Sequence, residues 1–343
     1  MTHGGDMGDA VRSDGRWRPL VRRLTAGTLA AGGGLVLAAY LLSPSPRATD
    51  LPGHPVDGSS FAHSVTRGTL PDVAPPAASP GPATATPAAA RKPSDYVPDL
   101  REASRDLTIA HHDECMTSTL DPEMRVCRYG NLDGRVTAML VGDSHSINWM
   151  PALNRVAKDR GWRLVVILKA GCRFSATTTG TSVKAESCRT WNEQVLARIR
   201  RNPPDILATM ATKTEFGDER LPSGYIEVWR KLNRRGIPVI GIRDTPRATF
   251  DRVDCLLAHP SRPAKCSIAR NPTLDVVSPL LRRDDLPDNL IYVDMSDHLC
   301  SAERCPAVID RVVTYRDRHH LTATFSRRLA SRLNAAIPAD AET

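Results

Sequence analysis

Short apolar runs alternate with amphipathic segments along residues 136–336, and this pattern constrains the fold more than any other feature. The predicted strands are 136–141, 164–168, 205–210, 237–242 and 290–293. The predicted helices are 147–159, 191–199, 225–232, 273–281 and 321–336. The strands lack polar alternation, which is typical of a parallel sheet covered by helices on both faces. The chain is therefore predicted to form an α/β fold, a three-layer αβα sandwich with a central, mostly parallel five-stranded sheet.

The run 24–42 carries no charge and is long enough to cross a bilayer as one helix. Four arginines lie on its N-terminal side, at Arg16, Arg18, Arg22 and Arg23. They favour an N-terminus that stays in the cytoplasm. We predict a cytoplasmic segment 1–23 and a transmembrane signal-anchor helix 24–42, so that the protein is a single-pass membrane protein with its main domain extracytoplasmic. The alternative is a cleaved signal peptide and a secreted protein.

Residues 43–97 are rich in Pro, Ala, Ser and Thr, and the stretch 75–90 reads PPAASPGPATATPAAA. Such a composition buries too little apolar surface to offset the entropy lost on ordering. We predict a disordered linker over 43–97 and one catalytic domain over 98–343, a length that suits a single α/β domain.

The eight cysteines fall into four close pairs. These are Cys115 with Cys127, Cys172 with Cys188, Cys255 with Cys266, and Cys300 with Cys305. Such pairs predict four local disulfides in an oxidising compartment, although eight cysteines allow about 105 pairings. Zinc is the competing interpretation, but the C-x-x-C spacing is absent from the sequence. No metal and no cofactor are predicted.

The net charge of +8 is almost entirely arginine excess. The arginines are scattered and not interleaved with aromatic residues, so nucleic acid is not a predicted partner. An anionic envelope polymer or lipid headgroup remains a candidate for loose electrostatic attraction.

The motif Gly142-Asp143-Ser144-His145 follows the first predicted strand, at the edge of a parallel sheet where ligands bind. Gly142 permits a tight turn, and Ser144 is expected at the start of the next helix. Its backbone N–H is then free to bind an oxyanion beside its own hydroxyl. The alternative is that Asp143 or Ser144 only caps the helix.

A second motif, 317–322, supplies Asp317 and His320. A serine hydroxyl needs an adjacent base, and an imidazole oriented by a carboxylate serves that role near neutral pH. We predict His320 as the base and Asp317 as its orienting group, with His319 and His145 as rival bases. The alternative is a surface turn in which both side chains are incidental.

At these residues the chain resembles the SGNH hydrolase superfamily, and more narrowly the extracytoplasmic SGNH domain fused to acyltransferase-3 membrane proteins, which O-acylate envelope polysaccharides. The matching stretches are 141–145 with 151–153, then 171–172, 242–247 and 315–322. They occur in order across most of residues 115–335. The resemblance implies Ser144 as nucleophile, His320 as base, Asp317 as its orienting group and the Gly171 N–H as a second oxyanion donor.

The sequence departs from the wider superfamily in two respects. A G-x-N-D motif is missing after the third strand, where 209–213 lies instead, and Thr212 is the candidate for the third oxyanion donor. The fused multi-span membrane domain is also missing, so we expect a separate multi-span membrane protein to deliver the acyl group. The loop 243–247 contributes Arg243, Asp244 and Arg247 as candidate substrate-binding residues, or else forms a strand-ending loop with internal ion pairs.

These features predict extracytoplasmic O-acyl transfer, specifically O-acetyl transfer, to an envelope polysaccharide or peptidoglycan through an acyl-serine. A secreted or anchored carbohydrate O-acetylesterase is the first alternative, because water is always available as an acceptor. A non-catalytic glycan-binding module is the second, although Ser144, Asp317 and His320 argue against it.

Overall fold

The computed structural model describes residues 91–342, which form an α/β domain around one central sheet. The strands are β1 Met116–Thr117, β2 Cys127–Gly130, β3 Thr137–Gly142, β4 Arg163–Lys169, β5 Ile206–Met210, β6 Lys213–Glu215, β7 Asp218–Arg220, β8 Val239–Ile242, β9 Ile268–Ala269, β10 Leu290–Val293, β11 Arg304–Cys305, β12 Val308–Ile309 and β13 Val312–Val313. The α-helices are α1 Ile109–His112, α2 Met150–Arg160, α3 Val183–Arg201, α4 Ser223–Asn233, α5 Arg252–Ala258, α6 Ala323–Arg328 and α7 Ala330–Ala336. Short 3₁₀ helices lie at Pro93–Asp95, Ala103–Arg105, Ile147–Trp149, Pro263–Cys266, Pro279–Arg282 and Ser296–His298.

The central sheet confirms the predicted parallel arrangement. Five strands run parallel in the spatial order β4-β3-β5-β8-β10. In chain order this is the 2-1-3-4-5 arrangement of flavodoxin-like sheets. Two short strands that the sequence did not predict add to β4, with β1 parallel and β2 antiparallel to it. The sheet therefore has seven strands where five were predicted.

Helices cover both faces of the sheet, as predicted. On β3, Leu140 packs in a cluster with Val156 of α2 and Leu333 of α7. Val141, which points to the other face, packs in a cluster with Trp191 of α3 and Trp229 of α4. Because both faces are buried, the strands read as continuous apolar runs without polar alternation. The three-layer αβα sandwich is confirmed.

One predicted helix is wrong. Residues 273–281 form turns that lead into the 3₁₀ helix Pro279–Arg282, and Val276 is 82% exposed. Pro279 has no N–H to donate to a helix, and the apolar spacing on which the prediction rested does not face a core. The unpredicted helix α5 begins at Arg252 and is capped by Asp251, whose side chain accepts hydrogen bonds from the N–H groups of Val253 and Asp254.

The predicted segments 1–23 and 24–42, and the predicted linker as far as residue 90, lie outside the described residues. Within residues 91–342, no helix combines the length and hydropathy needed to cross a bilayer. The last part of the predicted linker is structured, because the Tyr96 side chain is buried against Leu100. The Val97 N–H also donates to the Arg311 carbonyl. Ordered structure therefore begins before the predicted boundary at 98.

The structure joins all four predicted cysteine pairs. They link Cys115 to Cys127, Cys172 to Cys188, Cys255 to Cys266 and Cys300 to Cys305, which accounts for the eight cysteines of the chain. Disulfides form and persist in oxidising compartments, so they indicate an extracytoplasmic domain.

Candidate active site

The predicted nucleophile lies in the turn that follows β3, near the middle of the sheet. Gly142 has a φ of +150°, and a Cβ there would lie 2.0 Å from the Ser146 Oγ, so the turn requires glycine. Ser144 is partly exposed in this turn. The first helical turn begins only at Ile147, so Ser144 precedes the helix and does not start it as expected.

Asp317 and His320 form the predicted hydrogen-bonded pair. The His320 Nδ1 lies 2.7 Å from the Asp317 Oδ2, and the Asp317 Oδ1 accepts the backbone N–H groups of His319 and His320. Burial favours the neutral acid, but the hydrogen bond and charge of His320 outweigh it and hold the pKa of Asp317 below its ordinary value. An ionised carboxylate therefore accepts the Nδ1–H, which leaves the lone pair on Nε2. That Nε2 is buried and has no hydrogen-bond partner among the described residues.

The two motifs meet in space although about 175 residues separate them in the chain. The Leu321 N–H donates to the Asn148 Oδ1 at 3.2 Å. The ring of His145, the residue after Ser144, has its centroid 5.5 Å from that of His320. The predicted nucleophile turn and the predicted base therefore border one site at the carboxyl end of the sheet.

His145 and His319, the rival bases, are held in a network of their own. The His145 Nδ1 bonds Asp244, and its Nε2 lies 2.6 Å from the Arg247 Nη2 and 3.0 Å from the His319 Nδ1. Burial lowers the pKa of His145. The pKa of His319 is lowered to about 2, mainly by burial and next by charge repulsion from His320. Both nitrogens of His145 are thus engaged, whereas the His320 Nε2 is free.

A buried arginine that the sequence did not single out connects three of the loops. The Arg173 Nε lies 2.6 Å from the Asp143 Oδ2, and its Nη2 lies 2.9 Å from the Asp244 Oδ2. Burial opposes the charge on each group, but the pairing raises the pKa of Arg173 and lowers that of Asp244. Arg173 follows β4 at the same sheet edge as Ser144, and this position was the only sequence signal for its role.

The two candidate oxyanion donors after β4 and β5 differ in their surroundings. Gly171 follows β4 with a φ of +62° and lines the same cleft as Asp143. Its N–H has no protein acceptor within residues 91–342. The Thr212 hydroxyl donates to the Glu219 Oε1 and accepts the Asp244 N–H, so it is committed to the protein interior.

The three candidate substrate-binding residues of the loop 243–247 separate into two groups. Arg243 is buried and forms two hydrogen bonds to the Glu219 carboxylate. Asp244 is buried and accepts the N–H and hydroxyl of Thr214 as well as the bond from Arg173. Arg247 is half-buried and lines a cleft. Arg243 and Asp244 therefore anchor the β6–β7 hairpin, to which Glu219 and Thr214 belong, and Arg247 faces the cleft.

The cleft has a volume of about 480 Å³, within the usual range for small-ligand sites. It is lined by Asp143, Gly171, Arg173, Lys213, Glu215, Phe216 and Arg247. A second cleft of about 440 Å³ shares Gly171, Arg173 and Lys213 with it. Neither the hairpin that lines the cleft nor its tip residue Phe216 was predicted. The short polar segments on either side of Phe216-Gly217 were the available signal.

Three histidines, His145, His319 and His320, place ring nitrogens within 4.8 Å of one another. The Arg247 guanidinium forms a hydrogen bond to the His145 Nε2, and its positive charge opposes the binding of a cation there. The His145 Nδ1 is already bonded to Asp244. This donor set does not fit a metal ion.

Comparisons with known proteins identify the family of the chain. The family model described as "SGNH domain (fused to AT3 domains)" matches residues 113–335, which is more than half of the chain. No curated protein matches the sequence significantly. Among solved structures, the chain is similar to the periplasmic domain of a lipopolysaccharide acetyltransferase from Salmonella ser. Paratyphi A. That match has 13% identity and a TM-score of 0.48, and it covers 70% of this chain and 97% of that chain.

Proposed function

Because the chain belongs to the family of SGNH domains that are fused to AT3 domains, we propose that it transfers O-acyl groups, specifically acetyl groups, to an envelope glycan through an acyl-serine on Ser144. The observation that carries the proposal is the Asp317–His320 pair, whose free Nε2 belongs to the same site as the Ser144 turn. Family membership supports enzymatic activity in general. The roles of the individual residues are our proposal.

In the first half-reaction, the His320 Nε2 takes the proton of the Ser144 hydroxyl while Oγ bonds to the carbonyl carbon of the acyl donor. The N–H groups of Ser144 and Gly171 bind the oxyanion that develops on the carbonyl oxygen. The intermediate then collapses, the donor's ester C–O bond breaks, and the leaving oxygen takes the proton from His320. The product of this step is an acyl-serine.

In the second half-reaction, a sugar hydroxyl gives its proton to His320 and attacks the acyl-serine carbonyl. The bond to Oγ breaks, the serine is reprotonated by His320, and the acyl group leaves as a sugar ester. The ionised Asp317 stabilises the imidazolium that forms in both steps. Water in place of the sugar hydroxyl gives hydrolysis, which is the esterase alternative.

The family and the disulfides support a cellular setting for this reaction. Members of the family are fused to AT3 domains, and this supports a multi-span membrane protein as the acyl donor. The four disulfides support an extracytoplasmic acceptor, either envelope polysaccharide or peptidoglycan. In this proposal the segment 24–42 anchors the protein in the membrane as a single span.

The test is an acyl-transfer assay with the full-length protein, an activated acetyl ester and oligosaccharides prepared from envelope glycan. We expect acetylated oligosaccharide with the wild-type protein and none above background with Ser144→Ala. Free acetate without acetylated sugar would favour the esterase alternative. Intact ester and unmodified sugar would favour the non-catalytic glycan-binding alternative and contradict the proposal.

A further inference from the structure

A cleft with several charged side chains lies next to the turn that carries the proposed nucleophile. It is bordered by Asp143, which directly precedes Ser144, and by Gly171, the proposed oxyanion donor. An acceptor that occupies this space approaches the acyl-serine from the side of the β6–β7 hairpin. Ser144 and His320 do not line the cleft themselves, and the groups that do line it are the candidates for contact with an acceptor that extends from the nucleophile.

Three cations and two carboxylates line the cleft, and each of the two carboxylates is already in an ion pair. Asp143 is paired with Arg173. Glu215 is paired with Lys213 at 2.6 Å and with Arg220 at 2.8 Å. Arg247 has no carboxylate within ion-pair distance in the described part of the chain, and its buried Nε has no acceptor there. Of the three cations, Arg247 is therefore the one without a direct carboxylate partner, and Asp244 and Asp143 act on its charge only at longer range.

The position of Arg247 is set by a relay of two buried groups. Asp244 accepts the Nδ1–H of His145, which leaves the His145 Nε2 as the acceptor for the Arg247 Nη2. The Arg247 N–H and carbonyl are also held by the Thr273 hydroxyl. A guanidinium that is fixed in this way loses little conformational freedom when it binds, and its planar donors match the oxygens of a carboxylate or a phosphate.

Phe216 adds an apolar surface to the same cleft. It lies at the tip of the β6–β7 hairpin with 54% of its surface exposed. The hairpin is held by the bonds from Thr214 to Asp244 and from Arg243 to Glu219. An anchored, exposed aromatic ring provides a flat apolar surface at small entropic cost, which suits the apolar face of a sugar ring.

From these contacts we propose that the acceptor is an anionic glycan. Its carboxylate or phosphate binds the Arg247 guanidinium, and a neighbouring sugar ring packs on Phe216. The proposal rests on the proposed acyl transfer at Ser144, because it names the acceptor of that reaction. It makes a separate claim about binding, which is measurable without turnover.

The test is the dissociation constant of the full-length protein for a uronic-acid oligosaccharide and for the same oligosaccharide with its carboxyl groups reduced to alcohols. We expect the charged form to bind about tenfold to hundredfold more tightly, as one charge-assisted hydrogen-bonded contact provides. Arg247→Gln should remove most of this difference, and Arg247→Lys should restore part of it. Arg105→Gln is the matched control, because the Arg105 side chain is exposed, pairs with Glu102 and does not line the cleft. It should keep the full preference.

Two further arms identify the ligand group and the sugar contact. A phosphorylated oligosaccharide shows whether phosphate binds in place of carboxylate. Phe216→Ala should weaken the binding of the charged and the reduced oligosaccharide by a similar factor, and Phe216→Tyr should restore binding of both. Equal dissociation constants of the wild-type protein for charged and neutral forms would overturn the proposal. An equal loss of preference in the Arg105 and Arg247 variants would do the same.

Failure of this proposal and failure of the proposed function have different signatures. Cleavage of an activated acetyl ester that depends on Ser144, together with no preference for charged oligosaccharides, would leave acyl transfer intact and remove the anionic acceptor. A strong preference for charged oligosaccharides without ester cleavage would keep the binding site and remove the catalytic role.

Discussion

The Nδ1 atom of His145 lies 2.5 Å from the Oδ1 atom of Asp244, and this bond joins loops that are 99 residues apart in the chain. Both side chains are buried. Arg173 binds the other oxygen of Asp244 and also binds Asp143, which precedes the proposed nucleophile. The carboxyl ends of β3, β4 and β8 are therefore tied together by one charged network beneath the site.

We predict that Arg173→Met destabilises the domain by about 3–5 kcal/mol, because it leaves Asp143 and Asp244 buried without their shared cation. The free energy of unfolding from urea denaturation measures the effect. Arg230→Met is the matched control, since Arg230 pairs with Asp285 at the exposed surface. It should cost less than about 1 kcal/mol. Similar losses in the two variants would show that the buried network does not contribute as described.

Gly142→Ala is expected to disrupt the nucleophile turn. The added Cβ would lie 2.0 Å from the Ser146 Oγ, on a backbone with a φ of +150°. The Gly236→Ala control also has a positive φ, of +65°, but nothing lies within 4 Å of the added Cβ. It should cost about 1–2 kcal/mol of stability and leave ester cleavage unchanged. Gly142→Ala should lose more stability and reduce kcat by about 10²-fold, because the turn must shift. Normal kcat in Gly142→Ala would count against this turn as the nucleophile position.

Asp317→Asn tests the orienting role of the carboxylate. The amide no longer stabilises the imidazolium and allows the wrong tautomer of His320, so kcat for an activated acetyl ester should fall by about 10²–10⁴-fold. Asp310→Asn serves as the control, because the Asp310 side chain is 76% exposed. It should leave kcat unchanged. A kcat in Asp317→Asn within about threefold of wild type would exclude Asp317 from the mechanism.

The stability of the domain should fall as pH decreases from about 7 to 4. Burial lowers the pKa of His111 to about 4 and that of His319 to about 2. A histidine in the unfolded chain has a pKa of about 6.5. Below that pH the unfolded chain binds protons that the folded domain does not, so acid favours unfolding. The lowered pKa values of Asp244 and Asp317 remove further stability only below about pH 4.

Urea denaturation at several pH values measures this dependence. His111→Gln should flatten the loss of stability between pH 7 and 5, because it removes one group that protonates on unfolding. His112→Gln, at the exposed neighbouring position, is the control and should keep the wild-type slope. A wild-type stability that does not change from pH 7 to 5 would contradict the predicted sign.

The sheet was predictable from sequence because four of its five parallel strands, β3, β4, β5 and β8, are almost fully buried on both faces. Each of the five parallel strands is a largely apolar run without polar alternation, and none needs a distant partner to be recognised. Strands β1 and β2 were not predictable, since they are short and exist through pairing with the edge of β4. The false helix at 273–281 shows that apolar spacing alone does not reveal whether a buried surface is available.

The residues of the site also differ in how well the sequence predicts them. The Asp317–His320 pair is local, three residues apart on one turn, so spacing and residue type sufficed to predict it. The Arg173–Asp244 pair joins two loops that 71 residues separate, and only the fold brings them together. Arg243 matched a substrate-binding pattern in sequence, but the structure commits it to Glu219. A charged residue at a strand end is compatible with both roles until its partners are known.

The central claim is that Ser144 carries the acyl group, and peptide mapping after reaction with a fluorophosphonate probe tests it most directly. The full-length wild-type protein should be labelled on the peptide that contains Ser144, and labelling should be slower in Asp317→Asn. Ser144→Ala should show no label. An unlabelled wild-type protein, or equal labelling of Ser144→Ala, would contradict the account.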